Sequence, residues 1–131
     1  MRSMAAVVVV GGLVLLAARP VVAHHAFAAE FDAAKPVKLT GAVTKVDWTN
    51  PHAWIYVDIK DETGKVANWG FELASPNGLM RNGWTRFSLK PGEVVTIEGT
   101  RAKNGSTNAN AAAVIIASTG QKLFAGSSQP Q

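Results

Sequence analysis

The chain carries three histidines, His24, His25 and His52, and they fall in two short motifs, His-His-Ala-Phe and Thr-Asn-Pro-His. Imidazole is a ligand for Cu, Zn, Fe and Ni. If proteolysis cuts between Ala23 and His24, His24 becomes a chain terminus whose imidazole and α-amine form a chelating pair. A further nitrogen from His52 completes a T-shaped set, with His25 as alternate or axial ligand. Cu(II) favours such tetragonal nitrogen ligation and tops the divalent affinity order. The α-amine titrates near neutral pH, so a metal displaces its proton at modest cost. Pro51 stiffens the loop ahead of His52 and restricts where that ring projects. A plainer reading stands beside this one: tandem histidines after a cut are solvated, and His52 is a turn residue bonding a backbone carbonyl.

The cut is expected from the first residues. Met-Arg-Ser-Met precedes an apolar run from Ala5 to Ala18, and Arg-Pro-Val-Val-Ala follows it. That is a positive region, a short apolar core and small residues at Val21 and Ala23, the pattern of a cleavable secretory signal over residues 1–23. A retained membrane helix needs roughly 18–20 apolar residues, more than this run has. The expectation is an exported protein, periplasmic or secreted, with no stable membrane anchor after cleavage. There is no cysteine, so neither a thiol nucleophile nor a disulfide framework is available.

Without Arg2 and Arg19 the formal charge falls from +4 to +2, 11 Lys and Arg against 9 Asp and Glu. The remaining basic residues are scattered, which argues against nucleic acid as a partner. Acidic residues stand singly apart from Asp61-Glu62, and no Gly-x-Ser-x-Gly elbow occurs. The composition therefore points away from an enzyme.

Residues 24–35 read as an N-terminal arm that docks through Phe27 and Phe31. From Pro36 alternation dominates. Val37, Leu39, Gly41 and Val43 share a face, and the apolar phase then moves to Val46 and Trp48, as a β-bulge produces. A second strand runs from Ala53 to Lys60 with Ile55, Val57 and Ile59 inward. Asp61 to Lys65 forms a hairpin turn with Gly64. The third strand, 66–74, puts Ala67, Trp69, Phe71 and Leu73 on one face. Ser75-Pro76 opens a short helix that Gly83 ends. Strands follow at 93–101 and 111–118, with a short edge at 121–124. Residues 36–125 thus predict an all-β domain, an OB-fold-like five-stranded barrel with a short helix between strands 3 and 4. A β-sandwich usually needs more strands. Residues 126–131 form a Ser/Gln/Pro-rich tail that is expected to be disordered.

Trp48 and Trp54 flank the Asn-Pro-His loop. With Asn50 and Tyr56 they offer a face for an envelope protein or small ligand that needs no metal; their plainer role is to shield a barrel end. Trp69 is expected to pack.

The motifs His24-His25-Ala-Phe, Glu30-Phe31-Asp32, Lys35-Pro36-Val37, Leu39-Thr40-Gly41 and Val46-Asp47-Trp48-Thr49-Asn50-Pro51-His52 resemble those of DUF6152, a family of small exported bacterial proteins of unknown function. The likeness continues through Trp69-Gly70-Phe71-Glu72-Leu73, Ser75-Pro76-Asn77, Gly83-Trp84-Thr85 and Leu89-Lys90-Pro91-Gly92. The resemblance implies an exported single domain with both histidine motifs. It brings no established activity. The combined expectation is an exported, non-enzymatic binding domain, with copper as its cofactor through His24, His25 and His52, or else a metal-free module using Trp48, Asn50, Trp54 and Tyr56.

Overall fold

A long first strand organises the molecule. The computed structural model describes residues 29–126; the expected leader 1–23, the arm residues 24–28 with His24 and His25, and the tail beyond Gly126 lie outside the described residues. Strand β1 (Phe31–Asp47) pairs antiparallel with both β2 (Trp54–Lys60) and β4 (Val94–Ala102). Gly41 and Ala42 are the residues shared by the two ladders, Gly41 opposite Ile59 on one side and Val95 on the other. At that crossing a Cβ on residue 41 would lie 2.0 Å from the Asp58 carbonyl oxygen. Only glycine lets β1 pass so close to β2.

The phase change predicted in β1 is present. The β1–β2 register shifts between Val43 and Lys45. Val43 is buried before the shift, while Val46 and Trp48 pack against the core after it. One extra residue turns the pleat over, and odd-numbered inward positions give way to even-numbered ones.

β2 continues through a tight turn into β3 (Val66–Glu72), and β5 (Asn108–Ile116) pairs antiparallel with β4. Gly70, Phe71 and Glu72 of β3 then pair in parallel with Asn108, Ala109 and Asn110 of β5. This last pairing closes five strands into a ring in the order β1-β2-β3-β5-β4. β6 (Lys122–Phe124) adds to β5 beyond the closure, opposite Ala113 to Ile115. The helix α1 (Pro76–Arg81) lies between β3 and β4. The all-β expectation and its element order are borne out.

Inside the ring Ile55, Val57, Phe71, Val95, Ile97 and Val114 are fully buried, and Leu73 is nearly so. Each such side chain contributes about 1.5–3 kcal/mol relative to exposure. Helix α1 closes one end. Ser75 is its N-cap, Oγ accepting from Gly78 N at 3.2 Å, and Pro76 occupies the first turn. Leu79 of the helix and Trp84 just beyond it are buried, and the Trp84 indole N–H donates to the Phe124 carbonyl at 2.9 Å. Trp69 packs as expected, its ring stacked on Phe71 at 6.1 Å with the Arg101 guanidinium on it at 5.3 Å.

Two boundaries differ from expectation. β1 starts at Phe31, so residues 31–35 of the expected arm are strand, and Phe31 is buried opposite Ala102. The ladder is irregular between Phe31 and Pro36 because proline cannot donate to it, which disguises the strand in the sequence. β5 begins at Asn108 rather than Ala111 and ends at Ile116 rather than Ser118. Asparagine is a poor strand former, and the parallel partner that holds Asn108 to Asn110 in place comes from β3, more than thirty residues earlier.

Two measurements check these local arguments. Gly41→Ala must push the Asp58 backbone away and is expected to cost at least about 1–3 kcal/mol, read as a lower urea midpoint at unchanged m-value; an unaltered midpoint would show that β1 has room there. In the β2–β3 turn, Asp61 Oδ1 accepts from the Thr63 hydroxyl at 2.6 Å and from the Thr63 and Lys65 amides at 2.9 and 3.0 Å. These bonds, the hydroxyl first, hold its carboxyl below the usual aspartate value. The associated stabilisation is present above the unfolded-state pKa and is lost as pH falls through the lower folded value. NMR titration of Thr63→Val should move the Asp61 midpoint upward.

Candidate functional site

Glu72 is the charged residue that the fold buries among the described residues, at 9 % exposure. It ends β3 where that strand pairs with two neighbours, opposite Trp54 of β2 and Asn110 of β5. Strand alternation sends Phe71 and Leu73 into the core and Glu72 to the other face. A carboxylate so covered requires a partner, and His52 supplies it: its Nδ1 hydrogen-bonds Glu72 Oε1.

The loop that carries His52 is tied down by backbone bonds. Ala53 N donates to Ala74 O at 3.1 Å and Leu73 N to Ala53 O at 2.8 Å, extending the β2–β3 ladder past its regular end. Ala53 is fully buried, and the Thr49 hydroxyl donates to the His52 carbonyl at 3.3 Å. The Asn50–Pro51 peptide is cis. The His52 ring therefore stands between a latched backbone and a buried acid, with 42 % of its side chain exposed.

This arrangement fixes the ring chemically. A carboxylate only accepts, so Nδ1 carries the hydrogen and donates it. In the neutral ring Nε2 then holds the lone pair, and it has no partner among the described residues. His52 also borders a groove of about 320 Å³ with Ser75, Gly78, Arg81 and Asn82. No group of three or more His, Cys, Asp and Glu that could hold a metal occurs among the described residues.

The other expected site residues separate into two places. Trp48 packs against the core, because the bulge in β1 turns it inward. Trp54 and Tyr56 stand on the outer face, half-buried, their rings near Gly70. The two tryptophans that flank the loop in sequence thus do not form one wall. Asn50 is exposed in the loop. A second groove, of about 310 Å³, runs beside Trp54 and is bordered by Ala29, Glu30, Lys103, Asn104 and Asn108. It brings the first described residues of the chain to the strand that carries Trp54.

Glu72 was missed as a site residue in the sequence, although its position opposite an inward Phe71 marks it as facing away from the core. What the sequence lacks is the pairing that covers it from both sides.

The fold and site define an all-β protein, five strands closed in a ring, with a histidine held by a buried carboxylate at the β1–β2 connection. Its sequence matches the Family of unknown function (DUF6152) over residues 11–111, and the chain belongs to that family. No curated protein matches the chain. No helix among the described residues is long and apolar enough to cross a membrane.

The tautomer is directly observable. Long-range ¹H–¹⁵N NMR of the neutral ring should show His52 protonated on Nδ1, and Glu72→Ala should shift it towards Nε2–H. Identical ring spectra in the two proteins would mean that Glu72 does not set the tautomer.

Proposed function

We propose that the protein is an exported, non-enzymatic binding domain, periplasmic or secreted, that holds copper between its processed N-terminus and His52. The observation that carries the reading is the Glu72 carboxylate on His52 Nδ1. Metal-ligating histidines almost always donate their other ring N–H to a carboxylate, carbonyl or water, which orients the ring and raises its basicity. His52 has that support, and 42 % of its side chain is exposed.

The reading also places a demand on the start of the chain. Ala29 borders a groove with Trp54; Trp54 pairs with Glu72, and Glu72 holds His52. Directly opposed cross-strand side chains lie about 4.5–5.5 Å apart at Cβ. Residues 24–28 can span at most about 18 Å when extended, so the reading requires the His52 ring to lie within that reach of Ala29. In this reading His24 supplies imidazole and α-amine, His52 supplies Nε2, and His25 is the alternate or axial ligand. In this reading bound copper would be stored or passed on.

A second reading, a metal-free module for an envelope protein or small ligand, is favoured by the half-buried Trp54 and Tyr56 on the outer face and by the groove beside them.

The deciding experiment is a Cu(II) titration of the chain beginning at His24, followed by paramagnetic resonance. Nitrogen hyperfine structure is expected, with affinity lowered about 10–100-fold by Glu72→Ala and lowered further by His52→Ala. Equal affinity in a chain with one extra residue before His24 removes the terminal chelate. Equal affinity in His52→Ala removes the site.

A further inference from the structure

We propose that the outer face of β2, β3 and β5, beside the β4–β5 turn, is a binding site for a neutral saccharide. The inference gives a ligand class to the second reading above and rests on it; it is independent of copper.

The floor of the site is one row across three strands. Tyr56 pairs with Gly70, and Gly70 pairs in parallel with Asn108. A Cβ on residue 70 would lie 2.7 Å from Asn108 Oδ1, 3.4 Å from Tyr56 Cε1 and 3.7 Å from Trp54 Cε3. The missing side chain is what lets two rings and an amide settle together over the sheet backbone. Lys45 Nζ lies 5.6 Å from the centroid of the Tyr56 ring and pairs with Asp47 at 3.3 Å. The result is a half-buried aromatic platform next to a groove of about 310 Å³.

The polar groups around that groove select the ligand. Asn104 Oδ1 accepts from Ser106 N at 3.0 Å, so its amide N–H₂ is left without a partner among the described residues. Asn108 Nδ2 donates to Ser106 Oγ at 3.2 Å, and its Oδ1, which lies over Gly70, has no hydrogen-bond partner among the described residues. The same groove is thus bordered by one amide donor and one amide acceptor that have no hydrogen-bond partner among the described residues. A hydroxyl both donates and accepts, so vicinal hydroxyls of a sugar answer both. Covering the pair with a purely apolar ligand would strand them.

Charge narrows the class further. Glu30 and Lys103 bring one charge of each sign to the groove, so it has no bias towards phosphate or polyanions. Single-stranded nucleic acid would need a basic track beside the rings, and that is absent from this face among the described residues. Aromatic rings with apolar faces and amide hydrogen bonds suit the alternating C–H and O–H surfaces of a pyranose.

The test titrates maltose, cellobiose and chitobiose into the chain beginning at His24, following tryptophan fluorescence and the side-chain NMR signals of Trp54, Asn104 and Asn108. At least one disaccharide should bind with Kd of about 1 mM or tighter and shift all three residues. Trp54→Ala and Asn108→Ala should each weaken it tenfold or more at unchanged thermal midpoint, while Arg81→Ala, which borders the other groove, leaves it intact. Absence of any response to the three sugars, or shifts that survive in both variants, overturns the proposal. Trp54-dependent capture of a peptide without a sugar response also overturns it, while leaving the second reading in place. Copper affinity unchanged in Trp54→Ala would separate this face from the metal reading.

Discussion

Everything in this fold depends on β1 being able to serve two partners, and that depends on the approach of Gly41 to the Asp58 carbonyl. A strand of ordinary residues would either pair with β2 or bend away to β4. With no Cβ at the crossing, and a bulge three residues later, β1 does both. The ring can then close on its far side through only three residues of β3 and three of β5. So short a parallel contact would not hold by itself; the antiparallel ladders on either side bring its strands together.

The site is a by-product of that closure. Glu72 sits at the last residue of β3, where the strand is flanked by Trp54 and Asn110 at once, and the two neighbours exclude water from its carboxylate. Burial of a charge is costly unless hydrogen bonds replace the lost water. The β1–β2 loop answers by presenting His52, held by the Ala53–Ala74 and Leu73–Ala53 bonds. The packing demand and the chemical consequence are therefore one interaction. Glu72 needs a donor, and in donating, His52 keeps its other nitrogen available. Groups that serve stability at Nδ1 and reactivity at Nε2 are common around metal-binding histidines.

The same closure builds a second surface. Pairing β5 beside β3 brings Asn108 to Gly70 and sets the Lys103–Asn104 turn next to Trp54. Two faces thus meet along β2: a loop end that offers a ring nitrogen, and an outer face that offers aromatic rings and amides. They share the strand but no side chain that both would require, so a ligand at one need not exclude a ligand at the other.

Much of the architecture was legible along the chain. Alternation identified the inward residues of β2 and β3, the phase change located the bulge after Val43, and Ser75-Pro76 marked the helix, because all of these are set by neighbours a few residues away. His52 could be named as a candidate from its type and motif. What sequence did not contain was the company each residue keeps. Asn108 and Asn110 are strand residues only because β3 holds them, Trp48 turns inward only because the bulge reverses its face, and Glu72 becomes a site residue only when β2 and β5 cover it. Local pattern decides which way a side chain points from its own strand; burial, pairing and the available nitrogen of His52 are decided by strands distant in sequence, because hydrogen-bond partners and exclusion of water exist only once the ring has closed.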